Sequence, residues 1–285
     1  MTSHQPSMLK AALWMCGWLT AMVTMAVAGR ETVSQLNAFQ VMELRVIIGF
    51  VLLSPLVYAA GGFSAMKTQY PWRHVWRNIV HYAAQYAWLV AITLIPLAQV
   101  ISIEFTMPIW TAILAILFIG EKLNSWKIIA MVLGLAGVLI IVRPTVNSVD
   151  LGQIYSLAAA IGFSISVIFV KSLTRVDSVV RIIFWMLIIQ GIIGIVPAAM
   201  VWQPVPEDIW PWIVLVAICG TFSHYCMARA MIHADATIVV PMDFLRVPLT
   251  AVVGWLIYAE AVDVFTATGA VLILLGNLLN MKKSV

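Results

Sequence analysis

Apolar runs of about 20 residues, broken by charge, proline or glycine, recur along the whole chain and predict ten helical spans. Their approximate bounds are 8 to 29, 38 to 60, 76 to 95, 97 to 120, 126 to 143, 151 to 172, 179 to 202, 209 to 233, 235 to 259 and 263 to 281. The long stretch from 80 to 119 is split at Pro96, because a single helix of that length would cross about twice the hydrocarbon of a bilayer. A tight turn at Asp235 separates the eighth span from the ninth. In lipid each segment must satisfy its own backbone polar groups, so runs of this kind predict an all-α integral membrane protein.

Composition agrees: 63% of residues are hydrophobic and 10% charged, with a mean hydropathy of +1.02, whereas soluble domains carry about 25% charged residues. Cys16, Cys219 and Cys226 sit in apolar runs without metal-ligand spacing and are expected as small packing residues. A net charge of +4 is what cytoplasmic Lys and Arg give a membrane protein, so no nucleic-acid partner is expected. The run after Lys10, ending in Ala26, Val27 and Ala28, imitates a signal peptide. Its length and its place in the repeat described below argue for a retained span.

Alternate loops differ in charge. With the N-terminus inside, the cytoplasmic segments hold eleven basic residues, namely Lys10, Lys67, Arg73, Arg77, Lys122, Lys127, Lys171, Arg175, Arg181, Lys282 and Lys283, and the opposite face holds two, Arg30 and Arg143. That asymmetry predicts both termini in the cytoplasm and an even number of spans, with membrane lipid around them.

The chain also repeats itself. A shift of 139 positions sets Tyr86 on Tyr225, Ala91 on Ala230, Glu104 on Asp243, Phe105 on Phe244, Glu121 on Glu260 and Gly137 on Gly276. A shift of 145 sets Gly17 on Gly162, Arg30 on Arg175 and Phe39 on Phe184. Residues 1 to 145 and 146 to 285 are therefore expected as two five-helix copies. Five is odd, so the second copy lies upside down, and the expected fold is ten transmembrane helices in two inverted five-helix repeats. In such repeats the substrate site lies near the midplane, between the copies.

Each copy closes on a Glu, a short polar turn and a Gly-bearing span: GEKLNSWKIIAMVLGLAGVLIIVRP in the first, AEAVDVFTATGAVLILLGNLL in the second. In this the chain resembles the EamA-type members of the drug/metabolite transporter superfamily, over nearly its whole length. The resemblance implies a secondary carrier of a bacterial inner membrane that moves a small organic metabolite or drug, often outward and often coupled to protons. The second copy departs from the pattern at Ala261, where a basic residue beside Glu260 is missing.

Glu43, Arg45, His81, Glu104, His224, Arg229, Asp243 and Arg246 fall inside the predicted spans. A charge at mid-bilayer costs about 2.5–3.5 kcal/mol on insertion scales, so such groups normally face a cavity or one another. Asp243 and Arg246, three apart, share a helix face and can pair. The planar fork of Arg246 suits a substrate carboxylate or phosphate, with Asp243 as its counter-charge in the empty carrier. Glu104 has Met107 where the second copy has Arg246, so its expected partner is a proton or an ammonium group, with Arg45 as the structural alternative. Glu104 and Asp243 are the candidates for coupling.

Glu43 and Arg45, two apart, point in different directions, and Arg229 is expected to snorkel to the cytoplasmic surface. His224 is the better placed of the two histidines. Tyr86, Trp88, Trp110, Trp185 and Tyr225 lie deep enough to line a cavity for an apolar or cationic group, against the alternative of ordinary packing. Trp72, Trp76, Trp202, Trp210 and Trp212 read as interfacial belt. Pro108 and Pro248 follow the paired acids and weaken the helix there. Ala130 and Gly134 give the fifth span a small-residue face, suited either to packing within the repeat or to a second copy in a homodimer.

That mixture of charges predicts an amino acid or a related zwitterionic or anionic solute. No Walker-type loop, HExxH or Gly-x-Ser-x-Gly occurs, so no cofactor, metal or enzymatic activity is expected. An intramembrane enzyme acting on a lipid-soluble substrate and a channel are the alternatives that the repeat disfavours.

Overall fold

Polar caps and prolines set the helix boundaries. In the computed structural model, which describes residues 7–95, 100, 103–142, 150–246, 248–249, 252, 256 and 264–282, Ser7 accepts the Lys10 N–H to open α1 (Met8–Val33). Asn37 accepts the Phe39 N–H to open α2 (Ala38–Ala59), and a proline in the first turn opens α3 (Pro71–Leu94). A turn at Phe105 and Thr106 precedes α4 (Met107–Leu114). This helix runs on as a π-helical turn, Ala115–Ile119, which ends at Gly120 in the left-handed region.

After α5 (Ser125–Val142), Asp150 and Gln153 form a capping box for α6 (Leu151–Leu173), and Ser178 caps α7 (Val179–Met200). A 3₁₀ turn, Glu207–Ile209, leads into α8 (Trp210–His233). The short α9 (Ala236–Val239) tightens into a 3₁₀ segment, Val240–Leu245, and α10 (Val264–Lys282) follows.

The described residues are helical and contain no strand. Among the described residues five helices are long and apolar enough to cross a membrane: Met8–Val33, Ala38–Ala59, Leu151–Leu173, Val179–Met200 and Glu207–His233. Shorter apolar helices occupy Met107–Ile119, Ser125–Ile140, Ala236–Leu245 and Ala267–Gly276. Helix α3 has the length, at 24 residues, but His74, Arg77, Asn78, His81, Gln85 and Trp88 recur along it at helical spacing and give it a polar stripe. It starts at Pro71, not at 76, so Arg77 is not the boundary residue the sequence predicted. It is 2% exposed. Pro96, Arg143, Glu260, Ala261 and Lys283 lie outside the described residues.

Helices pair mainly between the two halves of the chain: α1 with α8, α3 with α6, α2 with α7 and α5 with α10. Exchanging the first five helices for the last five turns the first pair into the second and leaves the other two unchanged. Leu53, Ile183, Met186 and Leu187 fill the core around α2 and α7, and Met15, Met231 and Val239 fill that between α1, α8 and α9. The α5–α10 contact is close, because Gly137 faces the Gly269 carbonyl and Ile273, and Gly134 of α5 accommodates the ring of Phe244 from the 3₁₀ segment. The small-residue face of α5 is thus occupied within the chain. Cys219 and Cys226 are buried as expected, but Cys16 is exposed, and all three are free thiols.

Loops rich in Lys and Arg meet at one end. The tight turn between α8 and α9 is clasped there: Lys171 donates to the Met231 and Ala234 carbonyls at 2.8 and 2.6 Å, and Lys127 to Asp235 at 3.2 Å. Glu121 accepts the Ala236 and Thr237 N–H groups at 2.9 and 3.1 Å, which caps α9. At the same end Asp177 accepts from Thr68 at 2.7 Å and Arg181 at 2.6 Å and contacts His74 Nε2 at 2.9 Å. At the opposite end Gln40 and Gln203 exchange hydrogen bonds of 2.7 and 3.2 Å.

Candidate functional site

Both acids sit where the backbone departs from a regular α-helix. Glu104 precedes the Phe105–Thr106 turn, and Asp243 lies in the 3₁₀ segment after α9. The sequence placed the weak points just beyond the acids, at Pro108 and Pro248. Pro108 lies instead in the first turn of α4, where its missing N–H costs nothing, whereas Pro248 lies in a helical stretch, where it removes a helix hydrogen bond. The irregular backbone is at the acids, or just after them.

These two places come together. Arg246 Nη2 donates to Glu104 Oε1 at 2.6 Å and to Asp243 Oδ2 at 2.9 Å. The expected Asp243–Arg246 pair is present, but Glu104 does not lack a cation and its partner is not Arg45: the guanidinium of the other half serves both acids. Each carboxylate also takes an indole N–H, Glu104 Oε2 from Trp88 at 2.9 Å and Asp243 Oδ1 from Trp18 at 2.8 Å. Phe105 lies under the guanidinium, 5.2 Å from Cζ to the ring centre, and meets its mate Phe244 at 5.6 Å. Two carboxylates share one guanidinium, so the cluster carries an excess negative charge when all three are ionised.

Trp18 was not among the expected site residues. Its signal was an indole near the middle of an apolar span, where the N–H requires a partner. From Trp18 the aromatic contacts continue to His224 at 6.3 Å, and from His224 to His81 at 5.0 Å. The two histidines are thus neighbours, and His81 Nδ1 contacts the Ser166 hydroxyl at 3.2 Å.

Other expected lining residues stand elsewhere. Trp185 donates to the Met66 carbonyl at 2.9 Å and packs at the basic end, near the start of α7. Tyr86 stacks on Phe39, at 4.8 Å, by the start of α2. Tyr225 packs edge-on against Trp14 at 5.6 Å. Arg229, partly exposed, lies over the same Trp14, at 5.3 Å. Trp110 donates within its own helix segment, to the Thr106 hydroxyl at 3.2 Å. Glu43 and Arg45 do diverge, Glu43 towards Gly191 and Gly194 of α7 and Arg45 towards Gly220 of α8. Among the described residues no group of three or more His, Cys, Asp or Glu is placed to hold a metal ion.

The model of the EamA-like transporter family matches the chain twice, over residues 9–143 and 150–282. The chain belongs to the EamA-like transporter family. It is 29% identical over 240 residues to a riboflavin transporter of Rhizobium johnstonii, covering 83% of this chain and 79% of that one. It is 24% identical over 270 residues to an S-adenosylmethionine uptake transporter of Rickettsia felis, covering 93% and 92%. A pseudopaline exporter of Pseudomonas aeruginosa is 26% identical over 252 residues, 86% of each chain. A protein of known crystal structure, 18% identical, superposes with a TM-score of 0.79 over 94% of this chain and 95% of its own, and so shares the fold. The EamA-like chain is accordingly a membrane transporter of small metabolites.

Proposed function

We propose that this transporter is a ten-span carrier of a bacterial inner membrane, built from two inverted five-helix repeats with both termini in the cytoplasm. Its solute is a zwitterionic or anionic metabolite bearing an amino-acid group, bound at Glu104, Asp243 and Arg246. The observation that carries the reading is the Arg246 bond to both acids, because it joins one half of the chain to the other at corresponding, irregular places. The two family matches and the self-mapping helix pairs support the repeat. The basic end supports the orientation, since Lys and Arg concentrate on the cytoplasmic side.

A solute carboxylate competes with Glu104 and Asp243 for the guanidinium, and an ammonium group or proton neutralises the carboxylate released. Trp18 and Trp88 hold the acids in place and offer ring faces beside them. S-adenosylmethionine, the named substrate of one relative, carries an amino-acid group and a cationic centre, which match this division. Transport by such a site requires alternating exposure of the triad, which the short, irregular α4 and α9 segments permit.

The test is counterflow in proteoliposomes containing the full chain, with S-adenosylmethionine, riboflavin and neutral amino acids as trial solutes. Saturable exchange of an amino-acid-bearing solute, lost in Arg246→Ala, is the expected result. Exchange of riboflavin alone would remove the amino-acid assignment. A non-saturating flux would indicate a channel, and chemical conversion of the solute an enzyme. Reporter fusions after Lys122 and Arg175 should face the cytoplasm and a fusion after Asp208 the opposite side.

A further inference from the structure

A second charged group lies apart from the triad. Arg45 of α2 and Arg77 of α3 are 6% and 2% exposed, yet their hydrogen bonds go to neutral amides. Arg45 Nη2 donates to Gln85 Oε1 at 3.1 Å and to Gln190 Oε1 at 3.2 Å. Gln190 Nε2 donates to Asn78 Oδ1 at 3.2 Å, and Arg77 Nη1 donates to the same oxygen at 2.7 Å. The two guanidiniums are therefore ends of one network threaded through Gln190 and Asn78.

Among the described residues no carboxylate forms an ion pair with either one, and the ion pairs present involve His74, Lys127, Arg181 and Arg246. Glu43, the nearest acid in sequence to Arg45, turns towards Gly194. Arg77 Nε is buried without a hydrogen-bond partner. A buried ion held only by neutral dipoles is an expensive arrangement, and paired or coordinated ions are the rule. Gln85, between this network and the Trp88 that binds Glu104, is only half-buried. The network is thus accessible at Gln85.

We infer that Arg45 and Arg77 form a binding site for an anionic group, a carboxylate or a phosphate, which supplies the missing counter-charge. Arginine is suited to this, since its fork presents two parallel donors to either group. The anion is either a free inorganic one or the acidic end of the transported solute. Only the second source rests on the carrier reading. In that case the triad binds the amino-acid group of the solute as proposed above, and the arginine pair takes a second acidic group of the same solute.

The test uses the full chain in detergent, melted against inorganic phosphate and acetate, with ionic strength held constant by the bulky sulfonate HEPES. Saturable stabilisation by at least one of the two anions is expected. Arg77→Gln and Arg45→Gln should weaken it about ten- to hundred-fold, the equivalent of one charged hydrogen bond. Gln85→Glu places a carboxylate beside Arg45 without removing any hydrogen bond that the Gln85 amide donates to the network. It should raise the melting temperature in buffer without phosphate or acetate and suppress the response to these two anions, which keeps the test decisive if the arginine variants misfold. A wild-type chain indifferent to both anions overturns the site, as does a Gln85→Glu chain that responds like the wild type. Counterflow of labelled phosphate would identify the free ion as the ligand, whereas protection without phosphate movement supports the acidic end of a larger solute. If no solute exchanges in proteoliposomes while phosphate still protects the chain, the carrier reading fails and the anion site stands.

Discussion

Arg246 reaches Glu104 at 2.6 Å across 142 positions of sequence. The shorter of its two acid contacts is thus with the other half of the chain, and the local one, to Asp243 at 2.9 Å, is the longer. This geometry makes the guanidinium a bridge between halves, and removing it affects two acids at once.

Arg246→Lys keeps the charge but loses the fork, so solute binding should weaken by about 1.5–3 kcal/mol, as for a hydrogen bond to a charged group. Arg246→Ala leaves Glu104 and Asp243 together without a cation and should destabilise the fold by about 3–5 kcal/mol. Solute affinity with melting temperature as a control checks both. A Lys variant that binds at wild-type strength would confine Arg246 to a structural role.

Trp18→Phe and Trp88→Phe each remove one indole donor and retain an aromatic ring. Each should cost about 1.5–3 kcal/mol. Because the two acids share one guanidinium, the double variant should depart from additivity by about 0.5 kcal/mol or more. A double-mutant cycle on unfolding measures this, and strict additivity would mean that the two carboxylates act independently.

Much of this arrangement was legible in the sequence, for physical reasons. Lipid demands continuous apolar runs, so the five helices long enough to cross were placed to within a few residues, and the pairing of Asp243 with Arg246 follows from helical spacing. The spans expected at 97 to 120 and 235 to 259 are instead broken, by the turn at Phe105 and Thr106 and by the 3₁₀ segment Val240–Leu245. The bond from Arg246 to Glu104 leaves no local trace, because neither neighbourhood encodes which distant charge will face it. The α3 stripe did leave one, His74, Arg77, Asn78, His81, Gln85 and Trp88, but setting the span to begin at 76 assigned its first residue to a loop and left Arg77 at the boundary. Trp185 was misplaced for a related reason. Its depth was inferred from position along α7, while its indole is tied to the Met66 carbonyl at the basic end.

Asp177, in the loop between α6 and α7, gives a dependence on pH. Burial raises its pKa, but hydrogen bonds from Arg181, His74 and Thr68 outweigh burial and hold it below the ordinary aspartate value. A depressed folded pKa contributes stability that is complete above the unfolded value, about 3.9, and is lost as pH falls through the folded one. The melting temperature should therefore fall on acidification below about pH 4. Asp177→Asn should lower it at neutral pH and flatten that acid limb. An acid limb of unchanged slope in the variant would assign the effect to other carboxylates.

Gly137→Val tests the α5–α10 contact. Its Cβ would lie 2.6 Å from the Gly269 carbonyl oxygen and 2.7 Å from Ile273, and both belong to a packed helix that cannot easily retreat. Overpacking of this kind costs about 1–3 kcal/mol. Thermal unfolding in detergent should register the loss, and a wild-type melting temperature would mean that the two helices separate freely.

The interleaving of the helices bears on how the protein is made. Because α1 packs on α8 and α3 on α6, a ribosome that has released only the first five helices leaves α1 and α3 in the bilayer without their main neighbours. At that stage Arg45 lacks Gln190 and Glu104 lacks Arg246. The nascent first half is an open assembly with buried-type polar groups facing lipid, and the second half completes it as a template would. Chains truncated after α5 are thus natural targets for membrane quality-control proteases, and expression of the two halves as separate polypeptides should rescue the first from degradation.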